Sequence, residues 1–386
     1  MREITTTDAL AAFCEEAAEH PYVTVDTEFL RERTYYAQLC LIQLAYPGEG
    51  AESSAIVDVL AGDLDLAPLF ALMRDPGVVK VFHAARQDLE IFWQKSGEIP
   101  APLFDTQVAA MVCGYGEQVG YETLVRSICK AGLDKSSRFT DWSRRPLSDK
   151  QKRYAVGDVT YLRKIYEVLS ARIAEQGRAH WVEEELGVLT NPDTYRAEPS
   201  EAWKRLKTRS SSPRFLAVAH ALAEWREAEA QSRDVPRNRL LKDDALLEVA
   251  SNRPTSVDEL GKSRLLLREA RKGATAEAIL KVVAEAMAIP EADLPKAPPQ
   301  RGNQQASPAL MDLLKVLLKA QSEKTGVAQK LIATTPELES YVLDGPEGSP
   351  LSSGWRHEIF GSKAEALIAG RIALGVNGKS VDVLSV

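Results

Sequence analysis

The chain has 386 residues, of which 45% are hydrophobic and 27% are charged, and its formal net charge at pH 7 is −7. This length predicts two or three domains with real hydrophobic cores, and the composition is that of a soluble globular protein. The acidic net charge does not suggest a protein coated for nucleic acid, and it does not exclude one either, because binding depends on where the positive residues lie.

Neither a cysteine framework nor a membrane segment is predicted. The four cysteines lie far apart, without a C-x-x-C pair or a histidine at ligand spacing, so we expect reduced and mostly buried thiols. The first 20 residues mix acidic residues into the apolar ones, unlike a signal peptide, and no window holds 18 uncharged apolar residues. We therefore expect a cytoplasmic protein that does not enter a membrane.

Residues 1 to about 170 alternate strand and helix patterns. Four apolar runs predict strands: YVTVDTE (22–28), QLCLIQLAY (38–46), SAIVDVL (54–60) and VVKVFH (78–83). Helical periodicity follows in LAPLFALMRD, RQDLEIFWQKSG and FDTQVAAMVCGYG. Because the connections between the first three strands are short, antiparallel neighbours are favoured. The sequence predicts an α/β domain with a mixed sheet.

Strand patterns end near residue 170, and two helical regions follow. Residues 187–203 hold two prolines and predict a linking loop, whereas residues 289–308 hold five prolines among polar residues and predict an extended linker. Short helices separated by proline and glycine are expected between these segments, and a second small helical segment after them. The predicted domains cover residues 1–175, 208–289 and 307–386.

The first strand ends on two acidic side chains, Asp26 and Glu28. Residues two apart on a strand point to the same face, so the two carboxylates should converge. Their mutual repulsion would be relieved by a divalent cation, since hard cations such as Mg²⁺ prefer carboxylate oxygens. The D-x-E pattern is common by chance, and the alternative is a solvated strand end.

Three further residues stand at positions that allow two interpretations. Asp88 falls in the first turn of a predicted helix, where a carboxylate also complements the helix dipole. Residues 147–166 predict a helix with Ser148 as N-cap, in which Tyr154 and Asp158 are four apart and share one face. For this pair the alternative is a core tyrosine beside an unrelated surface acid.

Taken together, these residues resemble the three exonuclease motifs of the DEDDy family: D-x-E on the first strand, Asp after H-x-x-x-x, and Y-x-x-x-D on a late helix. The flanks VDTEFLRERTYYAQLCLIQLA, VFHAARQDLEIF, LFDTQVAA and DWSRRPLSDKQKRYAVGDVTYL are similar to the ribonuclease D family in particular. Residues 221–260 resemble an HRDC domain, and GWRHEIFGSKAEAL (354–367) resembles a second, more divergent copy. The resemblance implies a ribonuclease-H-like, mixed-sheet exonuclease domain followed by two small all-α HRDC domains.

The same resemblance implies hydrolysis of RNA from its 3′ end to nucleoside 5′-monophosphates, with two Mg²⁺ or Mn²⁺ ions as cofactors. The implied metal ligands are Asp26, Glu28, Asp88 and Asp158. Asp26 would bridge both ions, and Tyr154 would hydrogen-bond the attacking water. The implied partners are tRNA precursors with 3′ extensions, and we expect a monomer.

Three single residues are expected to contact RNA. Phe29 could stack on a base, His83 could contact the terminal ribose or phosphate, and Gln43 is similar to a position in the family's nucleotide pocket. The alternatives are a core aromatic for Phe29, a satisfied buried histidine for His83 and a strand-edge amide for Gln43.

The segment DWSRRPL (141–147) adds three candidates, Trp142, Arg144 and Arg145, which suit base and phosphate contacts. Basic residues also concentrate in residues 203–214 and 261–272, where phosphates could bind. Solvated surface charge is the alternative for the two arginines and for both basic segments.

Two other functions remain open at this point. A DNA 3′→5′ exonuclease would share the same carboxylates, although the HRDC-like segments and the flanks argue against it. A catalytically silent RNA-binding scaffold would keep the fold, but such proteins usually lose metal ligands, and all four acids are present.

Overall fold

The computed structural model describes residues 1–48, 51–134, 137, 140–208, 210–296 and 306–386. Residues 297–305 of the predicted linker at 289–308 therefore lie outside the described residues. The chain forms two compact units. The first comprises Met1–Glu28, Leu39–Thr194 and Asn303–Val386, and the second comprises Phe29–Gln38 and Tyr195–Gly302.

A six-stranded mixed sheet forms the centre of the first unit, with the strand order β1-β4-β3-β2-β5-β6. The strands are β1 (Arg2–Ile4), β2 (Tyr22–Leu30), β3 (Gln38–Ala45), β4 (Ser54–Val57), β5 (Val79–Phe82) and β6 (Leu103–Asp105). β3 pairs antiparallel with β4, whereas the pairs β1–β4, β2–β5 and β5–β6 are parallel. The mixed sheet is confirmed. β3 is an inner strand buried along nearly its whole length, which explains its continuous apolar run.

Among the described residues, the first unit has seven α-helices before residue 195. They are α1 (Thr7–Ala18), α2 (Ala67–Arg74), α3 (Arg86–Ser96), α4 (Thr106–Val112), α5 (Tyr121–Leu124), α6 (Asp149–Glu175) and α7 (Ala179–Thr190). The predicted start of α6 is confirmed, because Ser148 and Gln151 form a reciprocal capping box. The loop expected at 187–203 is wrong at its beginning. α7 continues through residue 190, since Trp181, Val182 and Leu186 are buried on one side of it.

The second unit is helical, as predicted. Its helices are α8 (Pro213–Ser232), α9 (Arg237–Leu240), α10 (Asp243–Asn252), α11 (Val257–Gly261) and α12 (Gly273–Ala288). α8 ends just before the predicted stop at Val235-Pro236, and Ser256 caps α11 through the backbone N–H of Glu259. One hydrophobic core, built largely from α8, α10 and α12, holds these helices together.

The C-terminal segment belongs to the first unit. It contains α13 (Pro308–Thr325), α14 (Gln329–Ile332), α15 (Thr335–Asp344), α16 (Gly354–Arg356), α17 (Ser362–Ile368) and an antiparallel hairpin of β7 (Ile372–Asn377) and β8 (Ser380–Ser385). The hairpin corrects the expectation of an all-helical segment. Its two-residue turn begins at Gly378, whose φ of +61° lies in the left-handed region that glycine adopts without strain.

The C-terminal segment and the exonuclease helices share one hydrophobic core. Buried side chains from both parts lie in the same cluster, among them Val112, Ile165, Leu314 and Phe360. The indole rings of Trp181 and Trp355 stack with their centroids 5.1 Å apart. Among the described residues, no helix is long and apolar enough to cross a membrane.

Candidate active site

Three of the predicted metal ligands converge where β2 meets α6. Asp26, Glu28 and Asp158 each offer a carboxylate oxygen, and these oxygens lie within 4.8 Å of one another. Asp26 and Glu28 share a face of β2, while Asp158 comes from the long helix beside it. The three carboxylates of the D-x-E and Y-x-x-x-D motifs therefore lie close together in the fold.

Thr24 fixes the register between these two elements. Its hydroxyl oxygen lies 2.9 Å from the carbonyl oxygen of Val159 in α6 and 3.0 Å from that of Ala45 in β3. Val159 follows Asp158 directly, and Thr24 precedes Asp26 by two residues on the same strand face. The buried hydroxyl of Thr24 thus helps to fix the positions of Asp26 on β2 and Asp158 on α6 relative to each other.

Asp88 stands beside the group of three rather than within it. It lies in the first turn of α3, is only 7% exposed, and accepts a hydrogen bond from the hydroxyl of Thr27. The carboxylate of Asp105 accepts hydrogen bonds from the backbone N–H groups of Ala84 and Ala85, just before α3, at 3.1 and 2.8 Å. Asp88 itself lies in the first turn of α3, where a carboxylate also complements the helix dipole.

The four acids repel one another in a poorly hydrated environment. Burial raises the pKa of Glu28 to about 10, and the charges of Asp26, Asp158 and Asp88 add to the effect. Burial and the charge of Asp158 also raise the pKa of Asp26, and burial and the charge of Asp26 raise that of Asp88. Carboxylate oxygens alone form a hard donor set, which fits Mg²⁺ or Mn²⁺. A divalent cation would replace this repulsion by shared coordination.

Tyr154 lies one helical turn before Asp158 on α6 and is partly buried. This part of the helix is tied by Tyr121, whose hydroxyl donates a hydrogen bond to the carbonyl oxygen of Gly157 at 2.9 Å. Burial raises the pKa of Tyr121, as do the charges of Asp158 and Asp26, so its phenol borders the carboxylates. Tyr121 is therefore a protonated hydrogen-bond donor that supports the site.

Arg145 and Trp142 were expected to contact RNA, but in the structure both are engaged inside the protein. The guanidinium of Arg145 is held by Asp58 at 2.5 and 2.6 Å and by the carbonyl oxygens of Cys40, Trp142 and Arg144. These bonds occupy all five of its N–H donors and leave none for phosphate. Trp142 is only 2% exposed, so its ring is not accessible for stacking on a base.

The position of Gln43 also corrects the prediction made for it. Its side chain is 0% exposed in the inner strand β3, so it neither lies at a strand edge nor presents an accessible surface to a nucleotide. Within the described residues, both its amide nitrogen and its amide oxygen lack a hydrogen-bond partner.

The other expected RNA contacts remain predictions. The Nδ1 atom of His83 lies 3.0 Å from the hydroxyl oxygen of Thr106, burial lowers the pKa of this histidine, and its side chain is partly exposed. Arg144 keeps a side chain that is 83% exposed beside Asp141. Phe29 continues β2 after Glu28 and is partly exposed.

Sequence reasoning missed two kinds of supporting residue. Thr24 had a signal, because alternation in YVTVDTE puts it on the face of Asp26 and Glu28. Tyr121 and Asp58 had no local signal, because their partners lie far away in the chain.

Comparisons with known proteins show the family to which the chain belongs. Residues 1–174 match the family model described as 3′-5′ exonuclease, and residues 215–283 match the HRDC domain model. Over 383 residues the chain is 59% identical to Ribonuclease D of Jannaschia sp. (strain CCS1), covering 99% of both chains. It is 48% identical to Ribonuclease D of Granulibacter bethesdensis, covering 99% of this chain and 96% of that one.

A solved structure shows the same relationship. The crystal structure of Escherichia coli RNase D, described as an exoribonuclease involved in structured RNA processing, aligns with a TM-score of 0.83 at 32% identity. The alignment covers 96% of this chain and 98% of that chain. These matches confirm the expected resemblance and set aside both the DNA exonuclease and the silent scaffold. The chain therefore belongs to the ribonuclease D family and is a 3′→5′ exoribonuclease, a hydrolase of phosphodiester bonds.

Proposed function

We propose that this enzyme removes nucleotides one at a time from the 3′ end of RNA, releases them as nucleoside 5′-monophosphates, and matures tRNA precursors that carry 3′ extensions. The observation that carries the proposal is the convergence of Asp26, Glu28 and Asp158 within 4.8 Å. The choice of tRNA is supported by the similarity to Escherichia coli RNase D, an exoribonuclease involved in structured RNA processing, because tRNA is a structured RNA.

The proposed cofactors are two Mg²⁺ or Mn²⁺ ions. Asp26, Glu28 and Asp158 would hold one ion, and Asp26 with Asp88 would hold the other. When bound, the ions would neutralise charge on the scissile phosphate and lower the pKa of the attacking water. The partly buried carboxylates would fix where the phosphate has to lie.

The remaining roles fall to groups around the carboxylates. Tyr154 would hydrogen-bond the attacking water and aim it at the phosphorus in line with the leaving oxygen. Phe29 would stack on a base, His83 would contact the terminal ribose, and the exposed guanidinium of Arg144 would bind a phosphate. These contacts would select a single-stranded 3′ end without reading its sequence.

We also propose that the enzyme acts as a monomer in the cytoplasm. All four proposed metal ligands come from one chain, so catalysis needs no second copy. The four cysteines are free thiols, which suits a reducing compartment.

A 5′-labelled tRNA with a 3′ tail tests the proposal directly. We expect a ladder of products shortened one nucleotide at a time, mononucleotides with a 5′-phosphate, and no reaction after chelation of divalent metal. A matched single-stranded DNA of the same sequence should be degraded much more slowly. Internal cleavage, release of 3′-phosphates, or full activity in EDTA would each refute the proposed reaction.

A further inference from the structure

Trp142 packs against Tyr154. The two ring centroids lie 6.1 Å apart with an interplanar angle of 37°, and the indole is 2% exposed. The indole nitrogen has no hydrogen-bond partner in the part of the chain that the structure describes. Trp142 therefore acts on Tyr154 through the apolar surface of its ring, which restricts the positions open to the phenol.

The backbone around Trp142 is fixed by a polar clamp. The carbonyl oxygen of Trp142 accepts a hydrogen bond from Arg145 at 2.7 Å, and Arg145 is held by both carboxylate oxygens of Asp58. Both side chains of this pair are largely buried, with exposures of 25% and 18%. Asp58 directly follows β4, so the clamp ties the segment 141–147 to the sheet.

The flanks of this segment are tied as well. Ser148 caps α6, and the side-chain nitrogen of Gln151 lies 3.3 Å from the hydroxyl oxygen of Thr140. The segment that carries Trp142 is thus held next to the first turn of the helix that carries Tyr154. The indole ring of Trp142 therefore has a defined position relative to the phenol of Tyr154.

We propose that Trp142, held by the Arg145–Asp58 ion pair, is a positioning residue that sets the place of the Tyr154 hydroxyl for the chemical step. The proposal rests on the proposed function, in which that hydroxyl orients the attacking water. A group misplaced by about 1 Å costs up to about 10² in rate. The clamp and the indole would prevent that loss without touching RNA.

The first test is Trp142→Phe, with Trp181→Phe as its matched control. Trp181 is also a buried tryptophan with an unpartnered indole nitrogen among the described residues, but it stacks on Trp355 instead of Tyr154. We expect Trp142→Phe to lower kcat by about 10-fold to 10²-fold while KM and the RNA affinity in Ca²⁺ stay within about twofold. Trp181→Phe should leave kcat unchanged below its melting temperature. Equal kcat for the two variants would overturn the proposal.

A double-mutant cycle with Tyr154→Phe separates positioning from general damage. Without the hydroxyl there is nothing left to position, so Trp142→Phe should cost no more than about twofold in that background. A full, multiplicative loss would overturn the inference and leave the role of Tyr154 intact. If Tyr154→Phe itself keeps the kcat of the wild type, the proposed function of Tyr154 fails, and the inference fails with it.

Asp58→Asn supplies a second variant if Trp142→Phe does not fold. Its matched control is Glu185→Gln, because Glu185 forms a similarly buried pair with Arg356, with side-chain exposures of 11% and 19%. We expect Asp58→Asn to lower kcat and to lose this effect in the Tyr154→Phe background, whereas Glu185→Gln should only lower the melting temperature. A raised KM with an unchanged kcat for Asp58→Asn would show that the clamp serves RNA binding, and would overturn the proposal.

Discussion

Tyr35 and Glu227 are 192 residues apart in the chain, and the hydroxyl of Tyr35 donates a hydrogen bond to the carboxylate of Glu227. Arg237 binds the same carboxylate through two nitrogens, Arg205 lies 3.3 Å from it, and the Glu227 side chain is only 1% exposed. The backbone N–H groups of Tyr35 and its neighbour donate to Asp234 at 3.0 Å. The segment Phe29–Gln38, which follows Glu28 directly, is thereby anchored within the second unit.

Glu227→Gln should destabilise the second unit. The substitution leaves the guanidinium of Arg237, which is 36% exposed, without its counter-ion. The cost should therefore lie between about 1 kcal/mol, typical of exposed pairs, and about 3 kcal/mol, typical of buried ones. Thermal and urea unfolding should show this loss. Glu224→Gln, at an exposed position of the same helix, is the control and should change stability by no more than about 0.5 kcal/mol. Equal stabilities for both variants would contradict the structural role of Glu227.

The stability contributed by Glu227 should depend on pH. Burial raises the pKa of this carboxyl, but the hydrogen bonds from Arg237 and Tyr35 and the two arginine charges outweigh it, so the net pKa lies below the usual value. The contribution is therefore fully present above the unfolded pKa of about 4.3 and is lost as pH falls through the lower folded pKa. The difference in unfolding free energy between wild type and Glu227→Gln should shrink on acidification below about pH 4. A constant difference would refute this linkage.

Asp26→Asn should abolish hydrolysis without lowering the stability of the metal-free protein. The substitution removes a proposed ligand of both ions, but it also relieves repulsion among neighbouring, partly buried carboxylates. In EDTA its melting temperature should equal or exceed that of the wild type. Mg²⁺ should raise the melting temperature of the wild type more than that of the variant. Retention of more than about a tenth of wild-type turnover at saturating Mg²⁺ would contradict the assignment.

Tyr154→Phe should slow the chemical step and leave binding intact. It removes one hydroxyl, and the loss of a positioned orienting group typically costs about 10²–10⁴ in rate. Single-turnover hydrolysis, together with RNA affinity measured in Ca²⁺, separates the two effects. Weakened RNA binding or an unfolded variant would mean that Tyr154 is a core residue instead.

The basic residues of the second unit should divide into structural and RNA-binding groups. Arg214 donates to three carbonyl oxygens at the end of α12, and Arg271 donates to that of Leu266, so both hold the fold. Arg264 and Arg268 have exposed side chains. Replacing both by Gln should weaken RNA binding and flatten the slope of log affinity against log salt by roughly 0.7 per lost phosphate contact.

The control for this pair is Lys281→Gln, which removes an exposed charge from α12. It should leave the salt slope unchanged. If the arginine pair and the control give the same slope as the wild type, the exposed arginines do not bind RNA.

Local patterns predicted the parts of the site that lie close together in sequence. Alternation placed Asp26 and Glu28 on one strand face, and the cap at Ser148 set the start of the helix whose spacing joins Tyr154 to Asp158. The sequence also held a signal for the last hairpin, because Gly378 between two runs of alternating apolar residues is typical of the first position of a two-residue hairpin turn.

Contacts between residues that lie far apart in the sequence could not be predicted from local patterns. Arg145 was expected to bind phosphate because arginine and tryptophan together in residues 141–147 suit phosphate and base contacts, and only the fold brings Asp58, 87 residues earlier, to its guanidinium. Burial of Gln43 and Trp142 is likewise a property of the assembled sheet and of its flanking segment, which no local pattern records.

The place of the C-terminal segment in the nuclease core has a consequence for the gene. The core is completed only by codons that follow position 303, through contacts such as the backbone hydrogen bond from Ala328 to Met111 at 3.3 Å and the bonds from Arg178 to the carbonyl oxygens of Val112 and Thr325. A chain that ends at a premature stop codon between positions 195 and 303 would contain every proposed metal ligand. The apolar side chains that pack against the C-terminal segment would then be exposed. Nascent chains should therefore stay protease-sensitive until those later codons have been translated.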